Sequence, residues 1–124
     1  MLVYTSGTTG KPKGAIHTQS ALLANAQAAW AAQDLSVDDV VLSTLPLFHV
    51  GGLCIQTLPA LLCGATVVLH ERFYPEAWLQ AVRTWRPTLS LLVPATMKAV
   101  QDSPNWGNAE LQSLRGVMTG SSTI

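Results

Sequence analysis

The chain has 124 residues, of which 48% are hydrophobic and 11% are charged, and its seven Lys and Arg residues balance seven Asp and Glu residues. This length suits one domain of ordinary size, and the absence of net charge excludes a broad electrostatic surface for nucleic acid or anionic lipid. Any charged ligand must therefore be bound by local groups. The charged fraction is also low for a free-standing domain, which predicts that the chain is part of a larger protein.

The first pattern along the chain is a short strand that runs into a segment rich in glycine and hydroxyl side chains, residues 4–14. Gly7, Gly10 and Gly14 permit positive φ and expose backbone N–H groups. Hydroxyls and the amines of Lys11 and Lys13 add further donors, and the segment contains no carboxylate. This combination predicts a polyanionic ligand such as a nucleoside triphosphate or pyrophosphate.

The same segment is not a Walker A loop. Only two residues separate Gly7 from Gly10, and Lys11 is followed by Pro12, whereas a Walker A loop needs four intervening residues and a Lys followed by Ser or Thr. Pro12 favours extended backbone before it, so residues 15–17 are predicted to continue as a strand. We expect the loop to join two strands as a flap over phosphates; the alternative is a glycine-rich turn with solvated lysines.

Strands and helices alternate through the rest of the chain. A helix is predicted over residues 20–33, with Leu22, Leu23, Ala26 and Trp30 on one face. The other predicted helices are 50–63, 75–85 and 94–102, and the predicted strands are 40–45, 66–69, 89–93 and 114–118. The first three of these strands have the apolar, β-branched character of central parallel strands. This alternation predicts an α/β fold with an open, mostly parallel sheet and flanking helices.

A membrane span and a metal site are both disfavoured by the sequence. Residues 40–70 contain no Asp, Glu, Lys or Arg, but prolines and glycines divide the stretch into pieces too short to span a bilayer. Cys54 and Cys63 have neither CxxC spacing nor metal-type ligands beside them. They are typical of small core residues in a reduced, cytoplasmic protein.

Three stretches resemble the signatures of one enzyme superfamily. Residues 4–14, YTSGTTGKPKG, resemble the phosphate-binding signature of the adenylate-forming (AMP-binding) superfamily, which includes acyl-CoA synthetases. Residues 45–52, LPLFHVGG, resemble its second signature, and residues 114–121, LRGVMTGS, resemble a third and weaker one. The sequence around Phe48 and His49 is most similar to that of fatty-acyl-CoA synthetases.

The resemblance implies an ATP-dependent ligase with two steps. A carboxylate, here a fatty acid, attacks ATP to give acyl-AMP and pyrophosphate, and the thiol of coenzyme A then attacks the acyl carbon. The resemblance implies that the phosphates are held by Thr5, Ser6, Gly7, Thr8, Thr9, Gly10 and Lys11, with Lys13 assisting and Thr5 as a Mg²⁺ contact. It places His49 at the junction of acyl group and adenylate, and assigns the acyl pocket to His49, Val50, Gly51, Gly120, Ser121 and Ser122.

Simpler structural roles compete with some of these assignments. His49 could instead cap the apolar helix that follows it, and Trp78 and Trp85 share a helical face that is typical of core. Ser121, Ser122 and Thr123 stand where many members of the superfamily have Gly-Ala-Pro, which leaves the adenine contact open.

The resemblance covers one partial AMP-binding domain, residues 1–124, with the phosphate loop at 4–14 and a βαβ core at 40–119. The later acidic, ribose-binding and hinge segments and the small domain with the adenylation lysine are not represented. We therefore expect a fragment that is inactive alone and that self-associates through exposed strand edges. The alternative from another class is a non-catalytic nucleotide- or phosphate-binding module, or an assembly module.

Overall fold

The computed structural model describes residues 1–7 and 10–120 of the chain. The strands are β1 (Leu2–Thr5), β2 (Lys13–Ile16), β3 (Val40–Ser43), β4 (Thr66–Leu69), β5 (Leu89–Leu92) and β6 (Gly116–Thr119). The helices are α1 (Gln19–Ala32), α2 (Val50–Gly52), α3 (Leu58–Cys63), α4 (Pro75–Trp85) and α5 (Pro94–Gln101), with a π turn at Leu53–Thr57 and a 3-10 turn at Trp106–Asn108. Across these ranges, no helix combines the length and apolar character that crossing a membrane requires.

Four strands form one parallel sheet in the order β4-β3-β5-β6. Val40 of β3 pairs with Thr66 of β4, and Leu89 of β5 pairs with Gly116 of β6. The helical stretch α2 to α3 connects β3 to β4, and α4 connects β4 to β5. The predicted open parallel sheet with flanking helices is confirmed. Because all four strands run the same way, the loops at their carboxyl ends gather at one edge of the sheet.

Alternating strand residues build a core on each face of this sheet. Leu42 of β3 packs with Trp78 and Val82 of α4 on one face. Val41, the residue before, packs with Ala60 of α3 on the other. A strand that contacts helices on both sides must be apolar at successive positions, which explains the continuous apolar pattern of β3 and β5.

A buried hydrogen-bond chain ties α4 to the sheet. The indole Nε1 of Trp78 donates to Ser90 Oγ at 3.1 Å, and this hydroxyl donates to the carbonyl oxygen of Leu42 at 2.9 Å. Ser90 is fully buried, so its hydroxyl satisfies the one polar atom of Trp78 inside the core. The prediction that Trp78 is a core residue is confirmed.

Two sequence-based expectations about burial are wrong. Trp85 is 59% exposed because it is the last residue of α4, and the chain turns away through Arg86 in left-handed backbone with φ of 47°. Leu69 is 52% exposed because β4 lies at the edge of the sheet and, among the described strands, pairs with β3 alone. In α1, Leu23 and Trp30 are also exposed, and Ala26 is the buried residue of that helix. Small residues dominate α1, so its apolar face is narrow.

The first two strands form a separate antiparallel hairpin. Leu2 pairs with Ile16 and Thr5 pairs with Lys13. The predicted strand at residues 15–17 is observed at Lys13–Ile16, so the glycine-rich segment does join two strands. Tyr4 and Ile16 are 69% and 82% exposed, which leaves apolar surface on this hairpin.

An ion pair joins three strands at the opposite, amino-terminal edge of the sheet. Asp39 lies just before β3, Thr88 just before β5 and Arg115 just before β6. Arg115 donates to Asp39 through Nε and a terminal nitrogen, at 3.0 Å each, and Thr88 Oγ1 donates to Asp39 Oδ1 at 2.5 Å. The hydrogen bonds from Arg115 are the main reason that the pKa of Asp39 is lowered. Burial acts in the opposite direction, and hydrogen bonds from Thr88 and the N–H of Ser36 lower the pKa further.

Candidate functional site

The hairpin loop between β1 and β2 has the backbone geometry that its glycines predict. Gly7 and Gly10 have φ of 65° and 77°, which side-chain-bearing residues rarely adopt. A Cβ on Gly7 would lie 2.3 Å from the carbonyl oxygen of Lys11, so the turn closes against Gly7 itself. Thr8 and Thr9, which are predicted to contact phosphate, lie outside the described residues.

The described part of this loop carries donors and positive charge. Lys11 and Lys13 are exposed, as are Thr5 and Ser6. Thr5 Oγ1 donates weakly to the carbonyl oxygen of Lys13, at 3.4 Å. No acidic residue occurs in the sequence before Asp34. An exposed loop of this kind can bind an anion through lysine amines, hydroxyls and backbone N–H groups.

The second signature forms a tight turn between β3 and α2. The N–H of His49 donates to the carbonyl oxygen of Pro46 at 3.1 Å. Gly52 packs directly on this turn, because a Cβ there would lie 2.3 Å from Pro46 O and 2.6 Å from Leu45 O. The glycine thus allows the helical stretch to start against the carboxyl end of β3.

The two ring nitrogens of His49 have different surroundings. Its Nδ1 accepts a hydrogen bond from the N–H of Gly51 at 3.0 Å, which caps α2. This bond requires a lone pair on Nδ1, so the neutral imidazole carries its proton on Nε2. His49 is exposed, which leaves Nε2–H available to a ligand. The capping alternative raised by the sequence is therefore confirmed, and it is compatible with a ligand-binding role.

The π turn at Leu53–Thr57 follows α2 directly in the chain. Thr57 Oγ1 donates to the carbonyl oxygen of Gly52 at 2.7 Å and lies 2.9 Å from Ser43 Oγ of β3. Gln56, beside it, is 2% exposed and extends toward β5 and β6. The regular helical period assumed for residues 50–63 does not predict this turn, and π turns often occur at functional sites.

A cleft of about 860 Å³ opens at the carboxyl edge of the parallel sheet. Its walls come from the turn after β3, the segment after β4 and the start of α5, and they are mostly apolar. The lining residues are Thr44, Leu45, Pro46, Leu47, Phe48, His49, Leu69, His70, Glu71, Arg72, Phe73, Val93 and Thr96. This edge is where open α/β sheets generally bind their ligands.

The structure brings only part of the predicted site into this cleft. His49 lines it, whereas Val50 and Gly51 follow in α2 and are 37% exposed and buried, respectively. No described residue of the hairpin loop contributes to its lining. Gly120 follows β6 and is half-buried, and Ser121 and Ser122 lie outside the described residues.

Several cleft residues were missed by the sequence analysis. The sequence pattern predicts Thr44 in a strand and Thr96 in a helix, and it places Phe73 in no element. Their common signal is position, since each lies in or just after a turn at the carboxyl end of a parallel strand. Such positions predict a site only when the strand order is known.

The described residues contain no group of three His, Cys, Asp or Glu side chains placed to hold a metal ion. Both Cys54 and Cys63 are free thiols. Burial raises the pKa of Cys54, which disfavours its reactive thiolate form.

Comparisons with known proteins identify the relatives of this chain. A family model described as AMP-binding enzyme matches residues 1–124. Indoleacetate–CoA ligase of Aromatoleum aromaticum is 52% identical over the whole chain, which covers 24% of that protein. Feruloyl-CoA synthase of an Amycolatopsis species is 42% identical, again over the whole chain and 25% of the relative. The chain therefore spans about a quarter of the curated relatives that it matches. These names do not support the expected fatty-acid specificity.

Solved structures of two related enzymes share the fold of this chain. ATP-bound MatB from Rhodopseudomonas palustris matches with a TM-score of 0.87 and 27% identity, over 98% of this chain and 24% of that one. The O-succinylbenzoate coenzyme A synthetase of Bacillus subtilis, in complex with ATP and magnesium ion, matches with a TM-score of 0.85 and 31% identity. The match covers 99% of this chain and 25% of that one. The chain belongs to the AMP-binding enzyme family.

Proposed function

We propose that this chain is the segment of an ATP-dependent aryl-acid CoA ligase that binds the phosphates of ATP and forms one wall of the acyl pocket. The observation that carries the proposal is the family match over residues 1–124. The hairpin loop and the cleft supply the local chemistry. ATP and coenzyme A are the co-substrates of this activity, as the family implies.

The hairpin loop fits a triphosphate. Its described residues offer hydroxyl and amine donors without a nearby carboxylate, on backbone that Gly7 and Gly10 hold in left-handed conformations. The proposed phosphate contacts are Thr5, Ser6, Gly7, Thr8, Thr9, Gly10, Lys11 and Lys13. Mg²⁺ would neutralise phosphate charge, and Thr5 is the proposed hydroxyl beside it.

The cleft fits the acyl group. Its walls are mostly apolar, and His49 lines one side of it with Nε2 not engaged by the helix cap. A carboxylate is a weak nucleophile and is repelled by a triphosphate, so the protein must neutralise phosphate charge and orient the carboxylate. Lys11 is proposed for the first task. A hydrogen bond from His49 Nε2 is proposed for the second.

An aromatic acid is the substrate class favoured by the relatives. Relatives of this chain are named for indoleacetate, ferulate and 4-coumarate. The cleft has aromatic side chains at Phe48 and Phe73, which can pack against a planar ring. We infer an aryl carboxylate of this size, activated as its adenylate and then transferred to coenzyme A.

Removal of the Lys11 amine tests the phosphate site. We expect Lys11→Ala to weaken binding of Mg·ATP to the 124-residue chain by about tenfold, because one charge-assisted hydrogen bond is lost. Isothermal titration calorimetry measures the change. Lys98→Ala is the matched control, since Lys98 is an exposed lysine on α5 that pairs with Asp102 at 2.9 Å.

Equal affinity in the Lys11 and Lys98 variants would contradict the proposed role of the loop. A non-catalytic phosphate-binding module would also bind Mg·ATP, so turnover separates the two functions. For turnover, the 124 residues replace the matching quarter of the Aromatoleum aromaticum ligase. The resulting chimera should form aryl-CoA if the chain belongs to a ligase of this specificity, and a phosphate-binding module without catalytic groups should not.

A further inference from the structure

A second pocket, of about 170 Å³, lies in the core on the α4 face of the sheet. Voids larger than a water molecule are few in a protein interior, because side chains there are closely packed. An apolar void of about 150 Å³ stays free of water and takes up benzene or xenon. The pocket therefore has room for one small aromatic ring.

This pocket has a buried floor and an open rim. Its floor is formed by Trp78 of α4, Leu92 of β5 and Val100 of α5, each 2% exposed. Gln101 and Trp106 also line the pocket and are exposed. They place the rim between the end of α5 and the 3-10 turn, and a small molecule can enter on that side.

The walls select a neutral, apolar occupant. The other lining residues are Met97, Leu111 and Val117, and no charged residue is present among the described residues that line the pocket. Trp78 has no hydrogen bond to offer, because its Nε1 already donates to Ser90. A charged group would lose its hydration there without gaining a counterion. A flat ring, by contrast, can pack against the indole of Trp78.

Helix α5 separates this pocket from the cleft. Thr96 and the preceding Val93 line the cleft, whereas Met97 and Val100 line the pocket. The two spaces have no lining residue in common. A molecule in the pocket therefore occupies a site distinct from the one proposed for the acyl group.

We propose that the pocket beside α5 binds a small neutral aromatic molecule with a single ring. Binding buries the ring against Trp78, Leu92 and Val100 and supplies packing contacts that the empty space lacks. The proposal is independent of the proposed function, since the pocket contains no residue of the hairpin loop or the cleft.

Toluene and benzoate test the pocket, because they share a ring and differ in charge. Two-dimensional NMR of the 124-residue chain follows the indole N–H signals of its four tryptophans. Toluene should shift the signals of Trp78 and Trp106, which line the pocket, and leave those of Trp30 and Trp85, which lie outside it. Benzoate should leave all four signals in place. Single replacements of Trp30, Trp85 and Trp106 by phenylalanine assign the signals.

Replacements that fill the pocket should abolish this binding. Val117→Phe adds a ring from β6, and Leu111→Phe adds one from the segment before β6. Each should weaken toluene binding by at least about tenfold, because the ligand can no longer bury its ring. Val37→Phe is the matched control, the same substitution at a residue that is 66% exposed and outside the pocket, and it should keep the wild-type affinity.

Thermal denaturation gives a second readout. A ligand that binds the folded chain raises its melting temperature by mass action. Toluene should therefore raise the melting temperature of the wild-type chain and of Val37→Phe, and it should not raise that of Val117→Phe. Leu111→Phe gives the same comparison from another element, so the test stands if one of the two filled variants does not fold.

Three results would overturn the proposal. The first is a folded chain whose Trp78 signal does not move in buffer saturated with toluene. The second is an equal response to benzoate, or shifts at all four tryptophans, because either would show binding that is not selective for this pocket. The third is unchanged toluene affinity in a folded filled variant. Loss of ATP binding or of chimera turnover would contradict the proposed function and leave this proposal in place.

Discussion

Replacing Asp39 with alanine is expected to lower the free energy of unfolding of the chain by about 3 kcal/mol. The carboxylate is 6% exposed and accepts hydrogen bonds from Arg115, Thr88 and the N–H of Ser36. Its removal leaves these donors without their partner at the amino ends of three strands. Arg115 is 41% exposed and can recover water, which keeps the loss below that of a fully buried pair. Urea denaturation measures the change.

Asp38→Ala is the matched control, because Asp38 is the adjacent carboxylate and is exposed. The pH dependence gives a second check. The pKa of Asp39 is lower in the folded chain, mainly because Arg115 stabilises the carboxylate. The stability it contributes is therefore complete above the unfolded pKa of about 4 and is lost as the pH falls below it. Equal stability of the Asp39 and Asp38 variants across this range would contradict the assigned role.

The second large effect is expected at His49 and separates its two ring nitrogens. His49→Asn places an amide oxygen near the position of Nδ1, so the cap on α2 is kept while the Nε2 donor is lost. We expect kcat/KM of the chimera to fall by about 100-fold, the scale of a lost catalytic hydrogen-bond donor, with little change in melting temperature. His49→Gln places an amide nitrogen near the position of Nε2 and should retain more activity, although it weakens the cap.

The two variants should thus move activity and stability in opposite ways. Steady-state kinetics and thermal denaturation on the same preparations measure both. If His49→Asn keeps full activity and His49→Gln destabilises the protein, the histidine is only a helix cap. In that case the contact between Nε2 and substrate would be abandoned.

Much of the fold follows from local sequence signals. The helix at Pro75–Trp85 has the predicted bounds, because proline favours its first turn and Arg86-Pro87 ends it. Gly64 ends α3 with φ of 85°, as the glycine predicts. The exposure of Trp85 and Leu69 could not be predicted from local signals. Their exposure depends on where α4 ends and on which strand lies at the sheet edge.

In the candidate site too, some features follow from local sequence and others depend on the arrangement of the strands. The loop at residues 4–14 was recognisable because its donors are consecutive in sequence. The buried contact between Gln56 and Met118 of β6 was not, because it depends on the π turn and on the position of β6 in the sheet. The Asp39–Arg115 pair spans 76 residues and has no local pattern. Contacts of this kind arise from the order of the strands.

Acid-dependent exchange of labelled pyrophosphate into ATP is the measurement that bears most closely on the proposed adenylation. The chimera should catalyse this exchange with indole-3-acetate in the absence of coenzyme A, and Lys11→Ala should reduce the exchange by at least about tenfold through the lost phosphate contact. A folded chimera without acid-dependent exchange, beside an active parent ligase, would show that this chain does not support adenylation of the acid.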